Sequence, residues 1–238
     1  MKTDKSLRIT RNQYRQLAEI AKQNGVGLAL DTFTNMERMW GCYNAWAKPI
    51  VRDVMCGRRQ VDERIAIVLS TSVNAGIFRR AVRPELDWSQ LADDEIYPFL
   101  ACHEIGHHID NFSFWDLMAI ENIEVREQCR AVATRVNEML ADRFAWEQIR
   151  PGEPVPLCEW GQTNAEVMAN DLHLLQRHIA RTRRSPRALP PGQYSYVPAS
   201  MLRTEELAAF VGPLVSPALI ETTRNGRRVH RRDSRLRG

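Results

Sequence analysis

Two histidines and a glutamate stand together in His103-Glu104-Ile105-Gly106-His107. On an α-helix, residues four apart stack on one face, so His103 and His107 can each turn a ring nitrogen toward one metal ion. Glu104 follows His103 by about 100° around the helix. It can therefore lie beside the ion without occupying its coordination sphere, and take a proton from a metal-bound water. The pattern is H-E-x-x-H, and it suits hydrolysis with one Zn2+ as Lewis acid and Glu104 as general base.

Two histidines do not complete such a site, because catalytic zinc usually takes three protein ligands and keeps a fourth position for water. His108 and Asp110 follow on the same helix but sit off the His103/His107 face. The extension H-x-x-G-x-x-H is missing, since position 110 is Asp and position 113 is Ser; this excludes the metzincin pattern. A better candidate lies 31 residues beyond His107, in Asn137-Glu138-Met139-Leu140-Ala141-Asp142. Glu138 and Asp142 are four apart and face one way on a predicted helix. Glu138 can ligate the metal while Asp142 accepts the free N–H of a ligand histidine, which fixes its tautomer. Ala141 between them is small enough for two helices to approach closely.

These two segments resemble the ImmA/IrrE type of zinc metallopeptidase. That family joins an apolar lead-in to A-H-E-x-G-H and a later E-x-x-A-N-x-F-A followed by proline. Here the first part is Phe99-Leu100-Ala101-Cys102-His103-Glu104-Ile105-Gly106-His107, with Cys102 in place of the usual Ala. The second is Glu138-Met139-Leu140-Ala141-Asp142-Arg143-Phe144-Ala145, with Asp142 in place of the usual Asn and Pro151 following. The likeness covers roughly residues 60–151. It implies a small cytoplasmic peptidase, often carried on mobile elements, that cuts or inactivates a repressor. His103, Glu104, His107 and Glu138 carry over as functional positions; the substrate does not. A rival reading is a non-proteolytic regulatory, antirestriction or DNA/protein-binding module held together by zinc. An intact Glu104 favours the enzyme, since a structural site has no use for a base.

The elements that must position these residues follow from periodicity. Tyr14, Leu17, Ile20 and Ala21 mark an amphipathic helix from Thr10 to Asn24, stopped by Gly25. Met36, Met39, Trp40, Tyr43 and Trp46 suggest a buried aromatic cluster. Ile65 to Leu69 reads as a strand; Gly76 to Val82 could pair with it, and its edge could take a substrate peptide by strand addition. Pro98 fits the first turn of the motif helix. Val125, Cys129, Val132, Val136, Met139 and Leu140 share one side of a helix over 120–149, ended by Pro151-Gly152. Thr163 and Glu166 have capping-box spacing for a helix to about Arg184. Residues 185–200 read as a loop, and 201–210 as a short last helix. Tyr194, Tyr196, His173 and His178 are candidate donors for an oxyanion, and the sequence does not choose among them.

The expected class is α+β, mostly helical: a zincin-like core with a small sheet packed on the motif helix. Residues 1–60 form an N-terminal helical segment, 61–156 the core, 157–223 a C-terminal helical region and 224–238 a basic disordered tail. With no run of 18 apolar residues and no apolar leader at Met1 to Thr10, no membrane is implied. Five cysteines without a C-x-x-C pair fit free thiols in a reducing cytoplasm. Residues 176–238 hold 13 Arg and no Lys against 4 acidic residues, while 1–175 hold 20 basic and 25 acidic. The Arg-rich end could touch nucleic acid or an acidic partner, although no aromatics are interleaved to stack on bases. Oligomeric state leaves no mark in the sequence.

Overall fold

The computed structural model describes residues 5–47, 50–53, 57–60, 64–188, 195–197 and 209–211. The fold is α+β; roughly half of these residues are helical and the strands form small open sheets. β1 (Ser6–Arg8) leads into α1 (Arg11–Gln23), opened by a capping box between Thr10 and Gln13 and followed by Gly25 at φ 78°. Tyr14, Leu17 and Ala21 bury the apolar face of α1, as their spacing requires.

β2 (Gly27–Asp31), β3 (Gly41–Ala47), β4 (Ile50–Asp53), β5 (Gly57–Gln60) and β6 (Arg64–Ser70) follow. β4 and β5 pair as an antiparallel ribbon. β6 contains the expected strand and lies at the centre of a sheet in the order β2-β6-β3. It is parallel to β2 and antiparallel to β3, with Ile67 opposite both Leu28 and Tyr43. Its unbroken apolar run suits a strand covered on both faces.

Three expectations fail in this half. The helical reading of residues 1–60 holds for α1 alone, since β2 and β3 supply two strands of the central sheet. Residues 76–82 do not pair with β6. Instead β7 (Ser72–Asn74) pairs with β1, and Asn74 caps α2 (Ala75–Arg79) by accepting from the Ile77 N–H. The aromatic cluster divides: Met36 is buried and Trp40 packs against Phe78 and Trp88, but Met39 and Trp46 are exposed.

A short 3-10 turn at Trp88–Gln90 precedes α3 (Ile96–Ile109), which carries the motif and has Pro98 in its first turn. Nearly every side chain of α3 is buried, because the sheet covers one side and α5 (Ile123–Ile149) the other. α5 spans 27 residues, about 40 Å. Cys129, Val132, Val136, Met139 and Leu140 are buried along its length, on the stripe read from the sequence. β8 (Asp110–Phe112) and α4 (Phe114–Met118) link the two helices.

After Pro151 come α6 (Glu159–Thr163) and α7 (Ala165–His178). The expected capping box does not form. The Thr163 hydroxyl donates back to the carbonyls of Glu159 and Trp160, and Asn164, which precedes α7, makes no side-chain cap bond to it. α7 also stops short of Arg184, because β9 (Arg181–Arg183) pairs with β8 and Arg181 donates to both oxygens of Asp110 through Nε and Nη2. The loop expected over 185–200 contains β10 (Ser195–Val197), paired with β11 (Ala209–Val211). Most of the last helix, 201–208, and the whole tail, 224–238, lie outside the described residues. No helix among the described residues is long and apolar enough to cross a membrane. Cys42, Cys102, Cys129 and Cys158 are free thiols, and Cys102 is buried in the core.

Candidate metal centre

The helix brings its two histidines together. His103 Nε2 and His107 Nε2 are 3.2 Å apart. α5, crossing beside them, adds Glu138: its Oε2 lies 3.4 Å from His103 Nε2 and its Oε1 3.4 Å from His107 Nε2. Two atoms each ~2.05 Å from a tetrahedral ion stand about 3.3 Å apart. The His–His spacing therefore fits two donors on one ion, each histidine has a Glu138 oxygen at a similar distance, and one donor atom from each of the three residues all lie within 4.8 Å of one another. No other His, Cys, Asp or Glu of the described residues joins this group. Two imidazole nitrogens and one carboxylate, with no fourth protein donor grouped with them among the described residues, could hold a metal ion and leave room for a small ligand.

Glu104 stands outside the donor set, as its place in the helix requires. It is 6% exposed and faces β3. A Cβ at Gly41 would overlap Glu104 Oε1 and lie 2.9 Å from its Cδ, so glycine is what lets the carboxylate rest against the strand. Burial raises the pKa of Glu104, against the pull of His103 and His107. A carboxylate less acidic than usual is a better proton acceptor near neutrality.

Behind His103, on the side away from Glu138, sits Asp142 with no exposure at all. Its Oδ1 is 2.9 Å from His103 Nδ1, although the ring N–H is not aligned on that oxygen. Trp88 Nε1 donates to the same oxygen at 3.2 Å. Burial opposes a charged ring at His103, yet Asp142 and Glu138 outweigh it and push the pKa up to about 10. Glu138 is held well below the usual carboxylate range: its burial is outweighed by His103, His107 and Arg83.

Arg83 is the residue that sequence reasoning missed. Its guanidinium donates to Glu138 Oε2 at 2.7 Å and to Asp142 at 2.9 and 3.0 Å, and stacks 4.2 Å over Trp88. No motif marks it. The only available signal was a need: two acids one turn apart on a buried helix face call for a cation.

His108 and Asp110 take no part, as their positions on the helix indicated. His108 Nδ1 lies 3.2 Å from the Tyr43 hydroxyl, and burial, with Arg184 nearby, brings its pKa down to about 4. Asp110 is committed to Arg181. Among the oxyanion candidates, His173 and His178 are exposed on α7 and do not line the cleft. Tyr194 and the side chain of Tyr196 lie outside the described residues. Tyr43 and Arg184 do line it. The strand-addition site moves as well: β6 is paired on both edges, whereas β3 has a second edge with no strand partner among the described residues.

The donors open into a cleft of about 800 Å³. Its outer wall holds Trp46 from β3 and Phe114 and Trp115 from α4, all more than half exposed. Trp115 meets Trp46 edge-on at 6.4 Å and Phe114 at 5.9 Å. Comparison of the chain with protein-family models, with curated proteins and with solved structures found no match in any of the three.

Proposed function

We propose that this chain is a zinc-dependent peptidase with a zincin-like core. The observation that carries this reading is the triangle of His103, His107 and Glu138 donors with Glu104 buried beside it, outside the ligand set. The fit of the His–His spacing to a tetrahedral ion, and the mixed imidazole–carboxylate donors, favour zinc.

Bound there, zinc would supply Lewis acidity to polarise a peptide carbonyl and acidify a water. His103 and His107 would hold it through Nε2, and Glu138 through a carboxylate oxygen. Asp142 orients His103 from its far side. Glu104, its basicity raised by burial, takes the proton of the attacking water and returns it to the leaving amine. The free edge of β3 and the aromatic wall suit an extended peptide laid across the cleft. The likeness to ImmA/IrrE peptidases supports the same activity and adds a cytoplasmic setting; a mobile-element repressor as substrate rests on that likeness alone. Contact between the Arg-rich tail and nucleic acid or an acidic partner rests on charge.

The test is cleavage of a peptide library followed by mass spectrometry, with zinc-loaded wild type beside Glu104→Gln. Cleavage by wild type, blocked by a chelator and lost in Glu104→Gln at equal zinc content, is the expected result. Equal cleavage by both proteins would sink the mechanism. A wild-type protein that takes up no metal would sink the metal centre itself.

A further inference from the structure

Arg83 lies on the loop between α2 and the turn at Trp88, outside both motifs, yet it holds both acids of the second. Its side chain is only 13% exposed. One face of the guanidinium is covered by Trp88, and its edge is shared between Glu138 Oε2 and the two oxygens of Asp142. A planar fork bonded along its edge and stacked on its face has little freedom left.

This arrangement treats the two oxygens of Glu138 differently. Each oxygen lies 3.4 Å from one histidine Nε2, Oε2 from His103 and Oε1 from His107, but only Oε2 accepts from Arg83, at 2.7 Å. A carboxylate ligates a metal through one oxygen or both, and one that is hydrogen-bonded at Oε2 is biased toward the single-oxygen mode. Charge points the same way. Ionised Glu104, Glu138 and Asp142 carry three negative charges, Arg83 returns one, and a single divalent ion with neutral imidazoles balances the remainder. Without Arg83 that balance is lost and Oε2 has no competing donor to keep it from the ion.

We propose that Arg83 is a positioning residue that limits Glu138 to one metal-binding oxygen and so keeps a coordination position open for the reacting water. This rests on the reading that His103, His107 and Glu138 hold the ion.

The test uses the full chain loaded with cobalt(II), whose visible absorption weakens as coordination rises from four to five. Wild type should show the intense band of a four-coordinate site. Arg83→Met, which keeps the length and apolar contact of the side chain but neither charge nor donors, should still bind cobalt with a band several-fold weaker. Arg83→Lys keeps the charge that the acids need for folding but has no fork, and its band should weaken too. A wild-type band in either variant would overturn the proposal: in Arg83→Lys it would mean that charge alone suffices. A weak five-coordinate band in the wild-type protein would overturn it equally. If wild type binds neither cobalt nor zinc, the metal reading fails and the proposal with it. If wild type binds and the variants match it, the proposal alone fails.

Discussion

Gly106 and Ala141 meet backbone to backbone: a Cβ added at Gly106 would lie 2.8 Å from Ala141 Cα and 3.1 Å from its carbonyl oxygen. The contact sits one residue before His107 and between Glu138 and Asp142 in sequence, so it sets how near α5 comes to the histidines. Neither partner can yield, because both atoms it would strike belong to the backbone. Gly106→Ala should push the helices apart. Overpacking of this kind costs ~1–3 kcal/mol, offset in part by up to ~1 kcal/mol from better helix propensity. The larger effect should fall on metal binding, as Glu138 withdraws from His103 and His107. Zinc competition against a chelator, beside denaturant unfolding, measures both. Unchanged zinc affinity would mean that this contact does not set the donor spacing.

Gly41 presents the opposite case, since an added Cβ there strikes the far end of a side chain, which can swing away. Gly41→Ala should leave folding and zinc content near wild type while displacing the Glu104 carboxylate. A positioned general base contributes about 100- to 10,000-fold, so most of a loss in that range should appear in kcat. A variant with full activity would show that Glu104 works from elsewhere.

Much of the centre was legible because a helix imposes its own spacing. Once 103–109 and 137–142 are helical, the face shared by His103 and His107 and the face shared by Glu138 and Asp142 follow from 3.6 residues per turn. The apolar stripe of α5 and the capped start of α1 were legible for the same local reason. What failed depended on partners distant in sequence. β2 and β3 become strands because they flank β6, and nothing within residues 26–47 announces that pairing. Ala75–Arg79 turned helical on the strength of one Asn cap. Arg83 reaches acids 55 and 59 positions away, a relation no spacing rule contains.

Metal binding should expel a proton. The metal-free site holds His103 with its pKa raised to about 10, since Asp142 and Glu138 overcome the penalty of burial. A ligating imidazole must be neutral, so the ion competes with that proton at neutral pH. Apparent zinc affinity should therefore climb about tenfold per pH unit from pH 7 and level off near the folded pKa. The metal-free fold shows the reverse trend. A raised folded pKa adds stability that is fully present below the unfolded value of ~6.5 and lost as pH rises through about 10. Calorimetry in buffers of different ionisation enthalpy counts the protons released; zinc binding at pH 7 with no proton release would contradict the charged state assigned to His103.

Glu138 and Asp142 share a helix face but should fail differently. Glu138→Ala removes a donor atom, and stoichiometric zinc should be lost. Asp142→Asn keeps the volume and an acceptor for Trp88 but removes the charge beside His103 and Arg83. Loss of an outer partner of a ligand histidine typically costs ~10- to 100-fold in affinity or activity. This variant should still load at high zinc. Equal zinc affinity in the two variants would mean that Asp142 is itself a ligand, or Glu138 is not.

The aromatic wall gives a prediction about substrate rather than metal. Trp115 is 65% exposed, with its ring beside those of Trp46 and Phe114. Contiguous exposed aromatics at the mouth of a cleft are uncommon unless something covers them. Little of the ring is buried in the free protein, so Trp115→Ala should leave stability within ~0.5 kcal/mol of wild type. If the wall holds an apolar side chain of the peptide equally in ground and transition states, the loss should raise KM and leave kcat nearly unchanged. Removing ~50–100 Å² of apolar contact at about 25 cal/mol/Å² corresponds to roughly 1.3–2.5 kcal/mol, or about 8- to 70-fold in kcat/KM. The penalty should shrink for peptides whose residues near the cut are small or polar, since they have less to place against the ring. Steady-state kinetics on paired peptides differing at that one residue decide it. A penalty independent of the peptide side chain would show that the wall does not read the substrate.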